Sequence, residues 1–521
     1  MSGKYLLGVD IGTAGTKTGI FDLEGRLISV AYAESHLKYP APGWVEQEAE
    51  DFYRTACLTI REVLEKSRVR PRDIAGMAFD GQMAGIMGID EDWNAVTRYD
   101  SWLDVRCQKY VDWLRENYCE KLIATVGMPP SIAHGPKMIW WKEEEPEVYN
   151  RIAKFIVPAV YVAGRMCGLK ADEAFVDYTY LHFSGVSDAL KGQWSSELLH
   201  AFGLPLEKLP RIVEPWRIVG CVTAKAARDT GLAEGTPVAG GVGDTAASFL
   251  GAGMVEKGQA VDVAGTASVL AACVDEFVPD IENKTLILPR AVQAGLWFAM
   301  AYIGGGGLCL RWFRDTFAAE EKSNADRTGR DVYDILNEAA EAVPAGAAGL
   351  FFIPHLGGRV CPYDSHIRGA WLGFSWNHDQ GSFYRSILEA IAYEYGLYLD
   401  IIRRLYPHLE VKEVRAIGGG ARSHLWNQIK ANVLGVPYVS LETEEVAILG
   451  SALVAGYAVG LFKDLAGAAK QFARPARRFE VDEKAYVHYR PYRALYTKLY
   501  SALKDIYDGI AELPGRLQTR L

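Results

Sequence analysis

The sequence predicts an α/β fold in two large domains, an expectation resting on three observations. The chain has 521 residues, too many for a single hydrophobic core. Its opening reads as three short strands in hairpin connection that pass into alternating helices and strands. An aspartate-bearing strand running into a Gly-Thr turn occurs twice, as Asp10-Ile-Gly12-Thr13-Ala14 and as Asp262-Val-Ala-Gly265-Thr266-Ala267, which two domains of similar plan would explain.

The opening strands are expected over Tyr5–Asp10, Lys17–Asp22 and Arg26–Ala33, parted by the glycine-bearing turns IGTAGT and LEG. Apolar periodicity predicts an amphipathic helix over Glu50–Lys66, a buried strand over Ile74–Asp80, and a further helix over Asp104–Asn117 carrying Trp113 and Leu114. In the second half, a strand over Val411–Ile417 ends at Gly418, Gly419 and Gly420, followed by a helix from Ser423 to Leu434 and a strand near Tyr438–Leu441. Between Tyr486 and Ile510 the tyrosines at 489, 492, 496, 500 and 507 recur at helical intervals, as expected of a helix packed on the domain surface. These readings divide the chain into residues 1–253, residues 254–480 and a helical tail over 481–521.

Hydrophobic residues at 49%, charged residues at 23%, and 52 glycines beside 22 prolines describe an ordinary globular protein. A formal net charge of -9 opposes non-specific attraction to nucleic acid or anionic lipid, so a small-molecule partner is expected. The eight cysteines form no CxxC pair and no cluster with histidine at zinc-finger spacing, a pattern that suits free thiols in a reducing cytoplasm. The amino terminus reaches Asp10 before any apolar stretch long enough for a signal-peptide core, which also predicts a cytoplasmic location. Ala291 to Leu310 carries no formal charge and has about the length of a membrane span, but Gly304 to Gly307 interrupt it. A buried strand, a glycine turn and the start of a helix are expected there instead.

Two glycine-rich turns carry candidate chemistry. Asp10 ends a strand, and Gly12, Thr13, Gly15, Thr16 and Lys17 follow at once. Such a turn offers bare backbone N–H groups, two hydroxyls and an ammonium to a polyphosphate, with Asp10 placed to hold Mg²⁺ directly or through water. It is not a Walker A loop, and the local sequence equally allows a plain hairpin. The segment Pro237 to Ala247 joins a strand to a helix and puts Asp244 near the helix start, where it reads as a substrate-facing carboxylate or as an N-cap. Gly241-Val-Gly243-Asp-Thr-Ala246 also matches GxGxxA with Asp262 downstream, the pattern of a dinucleotide site, but Asp244 would then stand where pyrophosphate sits.

In chain order, DIGTAGTK at the start, GWVEQ at 43–47, FDGQMAG at 79–85, SWLDVR at 101–106, GVGDTA at 241–246, AGTAS at 264–268 and GGGARS at 418–423 resemble the FGGY carbohydrate kinase family, its xylulokinase-like branch in particular. The likeness covers about residues 4 to 460. Pro136-Lys137-Met138-Ile139-Trp140 is similar to the first family signature. Gly369 to Phe374 followed by Ser386-Ile-Leu-Glu389 is similar to the second, with Ser382 where an acidic, amide or histidine residue is usual.

The resemblance implies two actin-like, ribonuclease-H-like domains with ATP and a small sugar or polyol meeting in the cleft between them, and it is compatible with a homodimer. By motif match Asp244 would be the catalytic base and Asp10 would serve Mg²⁺. Gly12, Thr13, Thr16 and Lys17 would face the phosphates, joined from the other domain by Gly265 and Thr266, while Gly307, Gly419 and Gly420 line the nucleotide side. Gln82, Met83, Ala84, Trp102 and Asp104 would surround the sugar together with Asp244. Phosphoryl transfer needs in-line positioning and charge neutralisation more than a strong base, so an ordinary aspartate suffices. Ala84 stands where xylulokinases commonly have histidine, so the acceptor implied is a pentulose such as xylulose, with ribulose, another ketose or a linear polyol as alternatives. An actin-like nucleotide switch and a nicotinamide dehydrogenase are the competing classes.

Overall fold

The computed structural model describes residues 4–514. Residues 1–3 and 515–521, the last of which belong to the expected helical tail, lie outside the described residues. Two sheets organise the chain. The first is built from β1 (Tyr5–Ile11), β2 (Gly15–Asp22), β3 (Leu27–Glu34), β4 (Ile74–Gly81), β5 (Ile218–Cys221) and β6 (Pro237–Ala239) in the order β5-β6-β4-β1-β2-β3. Val242–Gly243 adds a short parallel pairing at the end of β4. The second comprises β7 (Gln259–Ala264), β8 (Ser268–Val274), β9 (Trp297–Ile303), β10 (Glu413–Ile417), β11 (Tyr438–Leu441) and β12 (Pro475–Phe479) in the order β9-β8-β7-β10-β11-β12.

The two orders are one plan used twice. In each sheet three consecutive strands form an antiparallel meander, the first of them pairs parallel with a later strand, a second parallel strand follows, and an antiparallel strand closes the edge. This is the actin-like, ribonuclease-H-like architecture, and the recurrence of Asp, Gly and Thr in the sequence marks the first turn of each copy. β1–β2, β2–β3 and β7–β8 are joined by short turns and β8–β9 by the longer connection 275–296, whereas the parallel partners require the long crossovers that carry the helices.

The helices used below are α1 (Ala49–Ser67), α2 (Gln108–Val126), α3 (His134–Glu144), α4 (Asp244–Gly251), α5 (Gly306–Phe317), α6 (Gln380–Leu405), α7 (His424–Leu434), α8 (Val446–Ala458) and α9 (Glu483–Glu512). The expected helix over Asp104–Asn117 begins later, at Gln108, because Asp104 and Arg106 are taken up in a buried charge cluster that holds the preceding turn. Ala291 to Leu310 resolves into β9 and the start of α5, and among the described residues no helix is long and apolar enough to cross a membrane. Ser382, the departure in the second signature, sits in the first turn of α6, where its hydroxyl and backbone N–H both bond to Asp379 and cap the helix.

One helix joins the two halves: α8 lies in the chain between β11 and β12 of the second sheet yet packs on β1 and β4 of the first. α8 is apolar on nearly all sides and buried from Val446 to Gly456, as expected of a helix sandwiched between layers. A methyl group on Gly8 of β1 would lie 1.9 Å from the Ile448 carbonyl oxygen, and one on Gly450 would lie 2.0 Å from that of Ala247 in α4. Backbone-to-backbone packing of this kind needs glycine.

Candidate active site

Three aspartates from the first sheet converge. Asp10 ends β1 and pairs in parallel register with Asp80 of β4, while Asp244 is the first residue of α4. Asp80 is fully buried and accepts a hydrogen bond from Ser451 Oγ of α8 at 2.6 Å. Oδ1 of Asp10 and Oδ1 of Asp80 are buried without a hydrogen-bond partner. Burial, then the charge of Asp244, raises the Asp10 carboxyl above the usual range, and burial, then the charge of Asp10, raises Asp80 further. Asp244 is pushed up to about 6, chiefly by burial, against the N–H and hydroxyl of Thr245, which donate to its Oδ1 at 2.5 and 3.1 Å. The N-cap of α4 is Gly243, so Asp244 does not serve as the cap that its position also suggests.

The glycine turn after Asp10 is wired to the residues expected around the sugar. Thr13 Oγ1 donates to Gln82 Oε1 at 3.1 Å and accepts from Trp102 Nε1 at 2.9 Å. Gln47 Nε2 donates to the Thr13 carbonyl at 3.0 Å, and Gln82 Nε2 donates to Gln47 Oε1 at 2.9 Å. Met83 packs against Gly243, next to Asp244, and Ala84 is buried with a left-handed φ of 59°. Trp102 remains 43% exposed, which puts its ring on the rim of this cluster. Gly12, whose N–H bonds to the Gly15 carbonyl at 3.0 Å, lies beside the Asp10 carboxylate.

Two expected contacts are corrected. Thr16 is fully buried and its hydroxyl bonds to Thr55 of α1 at 2.7 Å, so it does not face phosphate. The reason is parity: successive residues of a strand point to opposite faces, so Thr16 and Lys17 of β2 cannot both address one ligand. Lys17 takes the other face, where Nζ reaches Glu445 at 2.8 and 3.1 Å. Asp104 is likewise not presented to the cleft. Its carboxylate accepts from the Val45 N–H at 2.6 Å and from Arg106 Nη2 at 2.7 Å, and it is fully buried. Arg106 also bonds Glu46 at 2.7 Å and stacks 3.8 Å over Trp44, while Lys137 Nζ, buried in α3, donates to the carbonyls of Ser101 and Asp104. Asp104 therefore fixes the loop that carries Trp102.

On the second sheet, the turn at Gly265 and Thr266 meets the start of α5, where a methyl on Gly307 would lie 2.0 Å from the Gly265 carbonyl oxygen. Gly418 packs against Ala264 and Gly265, Gly419 faces open space, and Gly420 rests on Trp426. The five glycine and threonine positions expected on the nucleotide side are thus brought together. Asp262, the counterpart of Asp10, is different: it is fully buried, with Lys430 Nζ at 2.5 Å and the Tyr395 hydroxyl at 2.7 Å. One copy of the fold seals its aspartate with a lysine, whereas in the other Oδ1 of Asp10 is buried without a hydrogen-bond partner. A sealed Asp262 also removes the acidic partner that a dinucleotide site built on Gly241 and Gly243 would need.

Two residues of the cluster were not legible as such. Asp80 lies inside FDGQMAG and was given no role, although its parallel register with Asp10 makes them neighbours. Glu445 is 428 residues from Lys17, and only the Glu444-Glu445 pair before an apolar helical run hints at it.

With this geometry in hand, the similarity to known proteins is specific. The profile of the FGGY family of carbohydrate kinases, N-terminal domain, matches residues 5–251, and that of the C-terminal domain matches residues 260–459. The chain is 29% identical over 515 residues to a xylulose kinase of Bacillus subtilis (strain 168), covering 97% of this chain and 99% of the relative. It is 29% identical over 528 residues to an autoinducer-2 kinase of Enterobacter sp. (strain 638), covering 99% and 97% respectively. The crystal structure of ligand-bound xylulose kinase from Lactobacillus acidophilus superposes with a TM-score of 0.87 at 23% identity, covering 97% of this chain and all of that one, a likeness of fold.

Proposed function

The chain belongs to the FGGY family of carbohydrate kinases, which transfer a phosphoryl group from ATP to a sugar, and from that premise we propose that its acceptor is a pentulose such as xylulose. The observation that carries the reading is the hydrogen-bonded chain Trp102–Thr13–Gln82–Gln47, which joins the phosphate turn to the segment whose Met83 packs on Gly243, next to Asp244. Full-length similarity to a xylulose kinase supports it.

In this reading Asp244 accepts the proton of the attacking hydroxyl. Its carboxylate, held by the N–H and hydroxyl of Thr245, is oriented before substrate arrives. Trp102 and Gln82 fix the sugar, and Asp104, Arg106 and Lys137 hold the Trp102 loop from behind. Lys17 and the backbone at Gly12 meet the phosphates from one sheet, Gly265, Thr266, Gly307, Gly419 and Gly420 from the other. The residues present suit a divalent cation: Asp10 and Asp80 each bury an unpartnered carboxylate oxygen, and carboxylates outnumber cations around them. In this reading Mg²⁺ is shared with phosphates and water through Asp10. When bound, Mg²⁺ would neutralise charge developing on the transferred phosphoryl group.

A second acceptor class is supported by Ala84, which lacks the imidazole that xylulokinases commonly carry at the matching position, and by equal identity to an autoinducer-2 kinase. Ribulose, another ketose, a linear polyol or autoinducer-2 are the acceptors of that second reading. ATP turnover with each of these compounds in turn tests the proposal. Xylulose should give the highest kcat/KM, higher turnover on any other acceptor would replace it, and hydrolysis indifferent to every acceptor would overturn the sugar-site reading.

A further inference from the structure

The charges of Asp244, Lys17 and Glu445 act on Asp10, and Asp80 lies beside it in parallel register. Three carboxylates therefore surround Asp10 and only one ammonium offsets them. That ammonium is already engaged: both oxygens of Glu445 accept from Lys17 Nζ, at 2.8 and 3.1 Å, across the two halves of the molecule. Glu445 stands at the start of α8, where the helix end favours negative charge, and its side chain is about a quarter exposed. Its neighbour Glu444 does the same to a second cation, accepting from Arg422 Nε at 2.7 Å and from Nη2, directly after the Gly418–Gly420 turn. That second pair is exposed, its side chains 71% and 57% open to solvent, so it is screened in a way the Lys17–Glu445 pair is not.

We propose that Glu445 makes the nucleotide site select metal-loaded over metal-free polyphosphate, an inference that rests on the nucleotide reading given above. A bare polyphosphate entering here must draw Lys17 away from Glu445. It then leaves an unpaired carboxylate facing its own oxygens, with Asp10 and Asp244 adding to the repulsion. The same nucleotide carrying a divalent cation brings the charge that compensates Glu445, so the penalty falls mainly on the metal-free form. Lys17 supplies attraction in both cases, whereas Glu445 supplies discrimination.

The test is the affinity of the full-length protein for ADP by calorimetry, once with excess Mg²⁺ and once in EDTA. For E445Q the metal-free affinity should tighten about tenfold and the Mg²⁺-loaded affinity should change by less than about threefold, so the ratio between them collapses about tenfold. The control E444Q, whose carboxylate is not among the groups acting most strongly on Asp10, should keep the wild-type ratio within about twofold. E445S, which keeps a favourable helix-start residue, repeats the measurement should E445Q fold poorly. An unchanged ratio in E445Q, whether through no effect or equal weakening of both forms, overturns the proposal, as does an equal collapse in E444Q. Wild-type protein that binds ADP under neither condition overturns the nucleotide reading itself, a result distinct from the others.

Discussion

At the scale of single residues, the site turns on what surrounds Asp244. Burial raises its carboxyl to about 6, so the form able to accept a proton is depleted as the pH falls through that value. The kcat/KM profile, which reports the free enzyme, should therefore lose activity on an acid limb near pH 6, and kcat should lose it at lower pH because a bound cation favours the charged carboxylate. Asp244→Asn should lower kcat by about 10²- to 10⁴-fold while sugar and ADP dissociation constants move little. Near wild-type kcat in that variant would remove the residue from the chemistry. Asp10 and Asp244 stand out as candidates because each sits in a short glycine-rich motif whose residue types suit a task, whereas Gln82 and Trp102 enter only through the family resemblance. Thr16 was misassigned although strand alternation was available to correct it, and Asp80 was missed because its meaning depends on a strand 63 residues from β1 lying beside it.

At the scale of elements, the sequence showed which segments are strands and helices but not how the sheets are ordered. Local periodicity reveals each element, whereas parallel pairing between β1 and β4, or β7 and β10, is a non-local fact that no window of residues contains. The role of α8 was equally hidden. Its apolar surface announces burial, but only the structure shows that it bears on β1 and on α4 through glycine contacts. Gly450→Ala would drive a methyl to within 2.0 Å of the Ala247 carbonyl, three residues beyond Asp244. Forcing the two helices apart should cost about 1–3 kcal/mol of stability and also lower kcat, because α4 carries the base. A melting temperature that falls while kcat holds would show that α4 tolerates displacement without moving Asp244.

At the scale of the molecule, the carboxy-terminal helix lies beyond the family match, which ends at residue 459, yet it completes the burial of two carboxylates of α6. The Tyr489 hydroxyl bonds Glu389 at 2.7 Å, and Tyr496 and Tyr500 both donate to Glu394, which is fully buried with Arg359 Nη2 at 3.3 Å. The tyrosine spacing in the sequence revealed a packed helix, but not that its hydroxyls answer buried charge. Burial alone would raise the Glu394 carboxyl; Arg359, His355 and Tyr500 outweigh it and hold the group at about 2. A carboxyl depressed in the folded state stabilises the fold fully above its unfolded value, about 4.3, and loses that contribution as the pH falls toward its folded value. Tyr500→Phe removes one of the donors, so the mutant should melt below wild type by an amount that is constant from pH 8 to about 5 and narrows at lower pH. The unfolding free-energy difference at pH 7 should be about 1–3 kcal/mol, the range for a hydrogen bond to a buried charge. Melting curves of both proteins at pH 7 and pH 4 check it. A gap that stayed the same on acidification would mean that the Tyr500 hydroxyl does not favour the ionised form of Glu394.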